Sequence, residues 1–203
     1  MKLVIASDIH GSAKYCRQLI EAFRREGAEK LVLLGDILYH GPRNPLPEEY
    51  APQEVVSMLT EIKEKIICVR GNCDAEIDEC LLPFPLCDCS MIYADGLNIY
   101  LSHGHRSVPS PNKNDIYITG HTHINLNEKH DDGYYLLNPG SVSLPKEESK
   151  RGYILYSART FTFKTLEGEQ YDKLDLKPAI GTMPVRRSTS RPPVLHRKVI
   201  RRR

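Results

Sequence analysis

Seven residues able to bind a metal ion fall just after short apolar runs in this 203-residue sequence. Asp8 and His10 follow residues 2–6, Asp36 follows 30–34, and Asn72 follows 66–69. His103 follows residues 97–101, and His121 and His123 follow 116–119. Glycine adjoins four of these points, at Gly11, Gly35, Gly71 and Gly120, and lets backbone turn tightly beneath a crowded site. Two carboxylates, four imidazoles and one amide oxygen make a mixed N/O donor set. That set suits manganese, iron, zinc, cobalt or nickel better than calcium or magnesium. Seven ligands exceed the need of one catalytic ion, whereas two ions sharing a carboxylate use them all. Taken singly, each residue has a plainer reading. Asp36 and Asn72 suit turns or helix caps, and His121 with His123 suits a polar loop. Their shared position at the ends of apolar runs carries the metal reading.

Those runs read as the elements that must position the ligands. Residues 2–6, 30–34 and 66–69 are short and apolar, as buried strands are. Between the first two, Cys16, Leu19, Ile20 and Phe23 have helical spacing, and Gly27 ends the helix. A loop with Pro42, Pro45, Pro47 and Pro52 leads to a second helix whose apolar face is Val55, Val56, Leu59 and Ile62. Strand, helix, strand, helix, strand implies right-handed crossovers and a parallel sheet. In open α/β sheets ligands bind at the carboxyl ends of such strands. The second half changes character. Residues 91–94 and 97–101 flank Asp95-Gly96 as a hairpin. Residues 134–137, 153–156, 160–165 and 171–176 complete a β-rich end, with one short helix expected near 76–80. The expectation is an α/β fold of two sheets packed face to face with helices outside.

Composition limits the class. The chain is 40% hydrophobic, enough for one compact domain. No apolar run approaches the roughly 20 residues that span a bilayer, and the N-terminus lacks the pattern of a signal peptide. Six scattered cysteines without a C-x-x-C pair read as reduced thiols in a cytoplasmic protein. Eight of the 28 Lys/Arg lie in residues 179–203 and none of the 26 Asp/Glu does, so residues 1–178 carry 20 basic against 26 acidic side chains. An acidic body argues against a nucleic-acid surface on residues 1–178. The basic segment 179–203, rich in Pro, Ser and Arg, reads as a disordered tail with at most weak affinity for anionic polymers.

The blocks SDIHG, GDILYHG, RGNCD, LSHGH, GHTH and NPGS resemble, in this order, those of the calcineurin-like metallophosphoesterase superfamily. HGPRN, EEYAP, RGNCD and NPGSVSLPK are similar to the small bacterial YfcE-type phosphodiesterases within it. The resemblance covers about residues 1–178 and implies the four-layer fold of that superfamily, two mixed β-sheets flanked by helices. It implies that Asp8, His10 and His123 hold one metal and that Asn72, His103 and His121 hold a second. Asp36 then bridges the two. Manganese is the foremost expectation, with iron, nickel, cobalt or zinc as alternatives.

The chemistry such a centre performs is phosphoester hydrolysis. Two divalent ions roughly 3.5–4 Å apart turn a bridging water into hydroxide near neutral pH, which attacks phosphorus in line with the leaving oxygen. Two ions, two aspartates and one hydroxide leave a charge of about +1 by formal counting, which a small-molecule phosphodiester balances. Asn72 and His103 are placed at the reacting centre, and Arg43 and His105 are candidates for binding substrate. One position departs from the superfamily. Cys73 stands where a histidine near the leaving group is usual, and a thiol is a different acid from an imidazolium. That change invites an alternative, a metal-binding scaffold of the same fold resembling the retromer subunit. A homo-oligomer is compatible with the resemblance. Of the remaining candidates, Asp74 reads as a loop-orienting residue, Cys68 as core, and 138–141 as a turn supporting the site. His40 reads as a loop residue near the site, His130 as surface, and Cys87 and Cys89 as strand residues without a metal role.

Overall fold

The computed structural model describes residues 1–106 and 111–176. The expected tail at 179–203 and the boundary near 178 lie outside the described residues. The elements run β1 (Lys2–Ala6), α1 (Ala13–Glu26), β2 (Lys30–Leu33), α2 (Pro52–Thr60), β3 (Ile66–Cys68), α3 (Glu76–Leu81), β4 (Cys89–Ala94), β5 (Leu97–Ser102), β6 (Ile116–Ile118), β7 (Asn125–Lys129), β8 (Tyr135–Pro139), β9 (Gly152–Ser157), β10 (Thr160–Thr165) and β11 (Gln170–Asp175). They form two mixed sheets. One has the order β11-β10-β9-β1-β2-β3, the other β4-β5-β6-β8-β7. In the first, β1, β2 and β3 are parallel, as the alternation of strand and helix predicts. In the second, β5, β6 and β8 are parallel, with β4 and β7 antiparallel at the edges.

Side-chain alternation along β1 and β2 divides the core in two. Val4, Ala6, Leu31 and Leu33 face the buried stripe of α1 (Cys16, Leu19, Ile20, Phe23) and Val55 and Leu59 of α2. Leu3, Ile5, Val32 and Leu34 face the other sheet, against Ile99, Leu101, Ile116, Ile118 and Leu137. Each such aliphatic side chain, fully buried, contributes about 1.5–3 kcal/mol. Helix α1 starts where Ser12 caps the Tyr15 amide and stops at Gly27, whose left-handed φ of 60° suits a residue without Cβ. Pro52 opens α2 at a position that needs no amide proton. The outer face of the five-stranded sheet carries Met91, Tyr100, Tyr117 and Leu136, all exposed or half-buried.

Three details differ from the sequence reading. Strand β7 is not among the expected elements, because NLNEK lacks the apolar alternation that marks a strand. It is an edge strand of half-buried and exposed residues, held by its pairing with β8. Ile62 lies beyond the end of α2 and packs on the core from the following turn. Cys87 is not continuous with the strand of Cys89. It makes an isolated parallel bridge to Val69.

Candidate metal centre

The seven residues assemble from both sheets. Asp8 and His10 follow β1, Asp36 follows β2 and Asn72 follows β3. His103 leaves β5, and His121 and His123 leave β6. Because the sheets face each other with these ends at one edge, the loops of both meet there. The backbone is bent for the purpose. Asp8, His10, Asp36, His121 and His123 all have φ between 50° and 68°, a left-handed conformation that costs non-glycine residues energy and clusters at functional sites. Two glycines allow the close approach. A Cβ on Gly71 would overlap Asp36 Oδ1, and one on Gly120 would overlap Ser7 Oγ.

Three imidazoles are pinned from behind. The Nδ1 atoms of His10, His103 and His123 lie 2.8, 2.6 and 2.7 Å from the carbonyl oxygens of Tyr39, Leu34 and Leu144. A carbonyl only accepts, so each Nδ1 carries the proton and each Nε2 faces the centre, as in metal-ligating histidines. His10 Nε2 and His123 Nε2 are 3.1 Å apart, and Asp8 Oδ1 lies 3.6 Å from the former and 3.2 Å from the latter. Asp8 Oδ1 is buried without a hydrogen-bond partner. Asp36 Oδ2 lies 3.6 Å from His10 Nε2 and 3.4 Å from His103 Nε2, between the two groups. Its other oxygen accepts from the Cys73 amide at 2.8 Å. Asn72 Oδ1 is 3.0 Å from His103 Nε2, turned there by the bond from its Nδ2 to Cys73 Sγ at 3.3 Å. The lone pairs of Asp8, His10, Asp36, His103 and His123, buried and converging at these spacings with an orphaned carboxylate oxygen among them, fit a bound cation.

The electrostatics agree. Burial alone would raise Asp8, but His10 and His123 hold it well below the usual carboxylate range. Burial alone would lower His103, but Asp36 and Asp8 hold it up at about 9. His10 is likewise raised, chiefly by Asp8 against the effect of burial.

His121 stands at the rim. It is half-buried, with its ring 5.1 Å from that of His103 and its amide donating to Asp8 Oδ2 at 3.1 Å. Cys73 Sγ lies within 4.8 Å of a donor atom of His10 and of Asp36. Burial first, then Asp36, pushes its thiol up to about 12. Arg43 lines the cleft of about 390 Å³ that holds Asn72, Cys73, His121 and His123. His105 lies instead in the neighbouring cleft with Arg70 and Arg106, its ring 5.3 Å from His103. His40 packs between Tyr39 and Tyr50, and His130 is exposed.

The supports are as built as the ligands. Asp74 is buried and accepts from the amides of Asp36, Ile37 and Gly71 at 2.8, 2.8 and 2.6 Å. Ser141 and Ser143 both donate to the Asp8 carbonyl, at 2.7 and 3.0 Å, and Asn138 donates to Gly120 O at 2.7 Å. The turn after β8 thus supports the site, as the sequence suggests. Lys146 of the same block also lines the Arg43 cleft. Sequence reasoning does not single it out, since a lysine in a polar loop has no periodic or motif signal of its own.

Known proteins are consistent with this arrangement. The chain matches the model of the calcineurin-like phosphoesterase superfamily domain over residues 1–160. It is 44% identical over 158 residues to the phosphodiesterase YfcE of Escherichia coli K12, covering 75% of this chain and 85% of that protein. The solved structure of YfcE, a phosphoesterase from E. coli, is similar with a TM-score of 0.83 at 39% identity, over 87% of this chain and 100% of that one. Vps29 of Entamoeba histolytica, solved with zinc, shares the fold at a TM-score of 0.59 and 20% identity, over 86% and 99% of the two chains. The chain belongs to the calcineurin-like phosphoesterase superfamily.

Proposed function

We propose that this protein is a metal-dependent phosphodiesterase that hydrolyses small-molecule phosphodiesters at a centre of two divalent transition-metal ions, manganese foremost. The observation that carries the reading is Asp36 Oδ2, set 3.6 and 3.4 Å from the inward nitrogens of His10 and His103. One oxygen so placed serves two ligand groups at once. The similarity to YfcE, a phosphodiesterase, supports the reaction class. When bound, the ions supply activated water and positive charge for the phosphoryl oxygens.

The chain's own residues do the positioning. Asp36 holds the two halves of the site at one spacing. The Nδ1–H bonds of His10, His103 and His123 fix the direction of their Nε2 atoms. Asn72 presents its carbonyl oxygen, and Arg43 and Lys146 add positive charge along the cleft. Cys73, held as a neutral thiol, supplies no ready proton to a leaving oxygen, so activated esters are the better substrates. The unpaired state of all six cysteines supports a reducing, cytoplasmic setting. The scaffold reading has less support, since a protein acting only by docking has no physical need for seven converging ligand residues.

The test is to strip the purified protein of metal and restore manganese, iron, cobalt, nickel and zinc in turn, with bis(p-nitrophenyl) phosphate and p-nitrophenyl phosphate as substrates. Metal-dependent cleavage, faster on the diester and abolished in Asp36→Asn, is the expected result. Folded protein inactive with every metal would overturn it in favour of the scaffold.

A further inference from the structure

Asn72 lies at the seam of two clefts that open from the metal centre, and their charge differs. In the cleft beyond Asn72 every cation has an anionic partner. Arg70 pairs with Glu79, and Arg106 lies 3.4 Å from Asp88. In the cleft over Cys73 the cations are Arg43 and Lys146. Neither side chain makes an ion pair or a hydrogen bond to another described residue, and the one carboxylate lining that cleft, Asp36, is turned to the histidines.

The Arg43 wall is also held in place. Tyr39 O accepts from His10 Nδ1, and Asn44 Nδ2 donates to His40 O at 2.8 Å. The His40 ring packs edge-on to Tyr39 and Tyr50. Gly41, at φ 81°, turns the loop over Cys73, where a Cβ would come within 2.9 Å of the sulfur. On the opposite wall the Lys146 amide donates to His123 O at 3.1 Å. Two uncompensated cations thus face one cleft from two loops, each loop bonded to a metal-site histidine. At about 390 Å³ the cleft suits a whole small molecule rather than a phosphoryl group alone.

We infer that Arg43 and Lys146 form a subsite for a second anionic group, so that the preferred substrates are asymmetric phosphodiesters with a phosphate or carboxylate on one substituent. This rests on the phosphodiesterase reading and narrows its substrate class. The less anionic substituent lies in the Arg70–Arg106 cleft, whose charges are already matched.

The experiment compares kcat/KM of the full-length, metal-loaded protein on matched p-nitrophenyl diesters. The retained alcohol is ethanol, choline or glycerol 3-phosphate, and p-nitrophenyl phosphate is run alongside. The anionic diester should exceed the ethyl diester about tenfold and the choline diester by more, with the gap shrinking as salt is added. In Arg43→Ala/Lys146→Ala the anionic-to-ethyl ratio should fall to within about threefold of one. Using the ratio within each protein cancels any general loss of activity. Equal rates on the three diesters, or a preference that survives in the double variant, would overturn the subsite and leave the phosphodiesterase standing. So would a dependence on Arg43 and Lys146 equally large for p-nitrophenyl phosphate, since the cations would then serve the scissile phosphate itself. No cleavage of any diester would overturn the phosphodiesterase reading, and the subsite with it.

Discussion

In the metal-free site a proton on His103 stands where a cation would. Burial favours its loss, but Asp36 and Asp8 outweigh burial and hold the imidazole at about 9. Near neutral pH, metal loading therefore has to expel that proton. Calorimetric titration of metal-free protein with Zn²⁺ at about pH 7, in buffers of different ionisation heat, should show release of about one proton or more. Heats that do not depend on the buffer would contradict the assignment. The sign for stability is opposite. A histidine raised from 6.5 in the unfolded chain stabilises the metal-free fold fully below that value, and the contribution disappears as pH rises through about 9. Cys73 makes a second residue-scale prediction. With its thiol pushed up to about 12, Cys73→His should raise activity on alkyl esters relative to nitrophenyl esters, about tenfold or more. An unchanged ratio would dismiss leaving-group protonation as the role of this position.

At the scale of elements, the ligands depend on loops that the strands deliver and Asp74 ties together. Its carboxylate takes the amides of Asp36, Ile37 and Gly71, so it binds the loop after β2 to the loop after β3. Burial raises its pKa, against the pull of those amides. Asp74→Ala would leave three buried donors without partners, at about 1–3 kcal/mol each before relaxation. Urea unfolding should show a loss of about 3 kcal/mol or more, and metal-dependent activity should fall with it. A loss under about 1 kcal/mol would mean that water replaces the carboxylate at little cost. Strands β1, β2, β3, β5 and β6 were legible because each is a short apolar run closed by Gly, Asp or Asn chemistry. Strand β7 was not, because a polar edge strand is specified by its neighbour β8 rather than by its own pattern.

Across the whole molecule, Glu26 joins the end of α1 to strands far along the chain. Its carboxylate accepts from Lys164 Nζ at 2.6 Å and from Tyr153 OH at 2.7 Å. Burial would raise its pKa, yet Lys164 and Tyr153 bring it below its ordinary value. A depressed carboxylate stabilises the fold above the unfolded value of 4.5, and the contribution is lost as pH falls through the folded value. Glu26→Gln should therefore cost about 1–2 kcal/mol at neutral pH, with the difference from the parent protein closing as pH falls below 4.5. A pH-independent difference would make the role of Glu26 steric rather than electrostatic.

The candidate ligand set was proposed from order and spacing, since a metal site needs specific atoms and only a few residue types carry them, and the structure brings these residues to one edge of the two sheets. The parallel strands that bear it were readable because apolar runs and turn residues are local signals. Tertiary structure decided what those signals do not encode. Which sheet each strand joins, and that Asp8 from one meets His123 from the other, depends on contacts between residues more than 100 positions apart. The carbonyl oxygens of Leu34, Tyr39 and Leu144 that orient the histidines belong to the backbone, which every residue shares, so no side-chain pattern announces them. The division into a cleft of paired charges and a cleft of unpaired ones is likewise invisible in composition. A charge's partner is set by distance in the folded chain, where Arg70 finds Glu79 and Arg43 meets no carboxylate among the described residues.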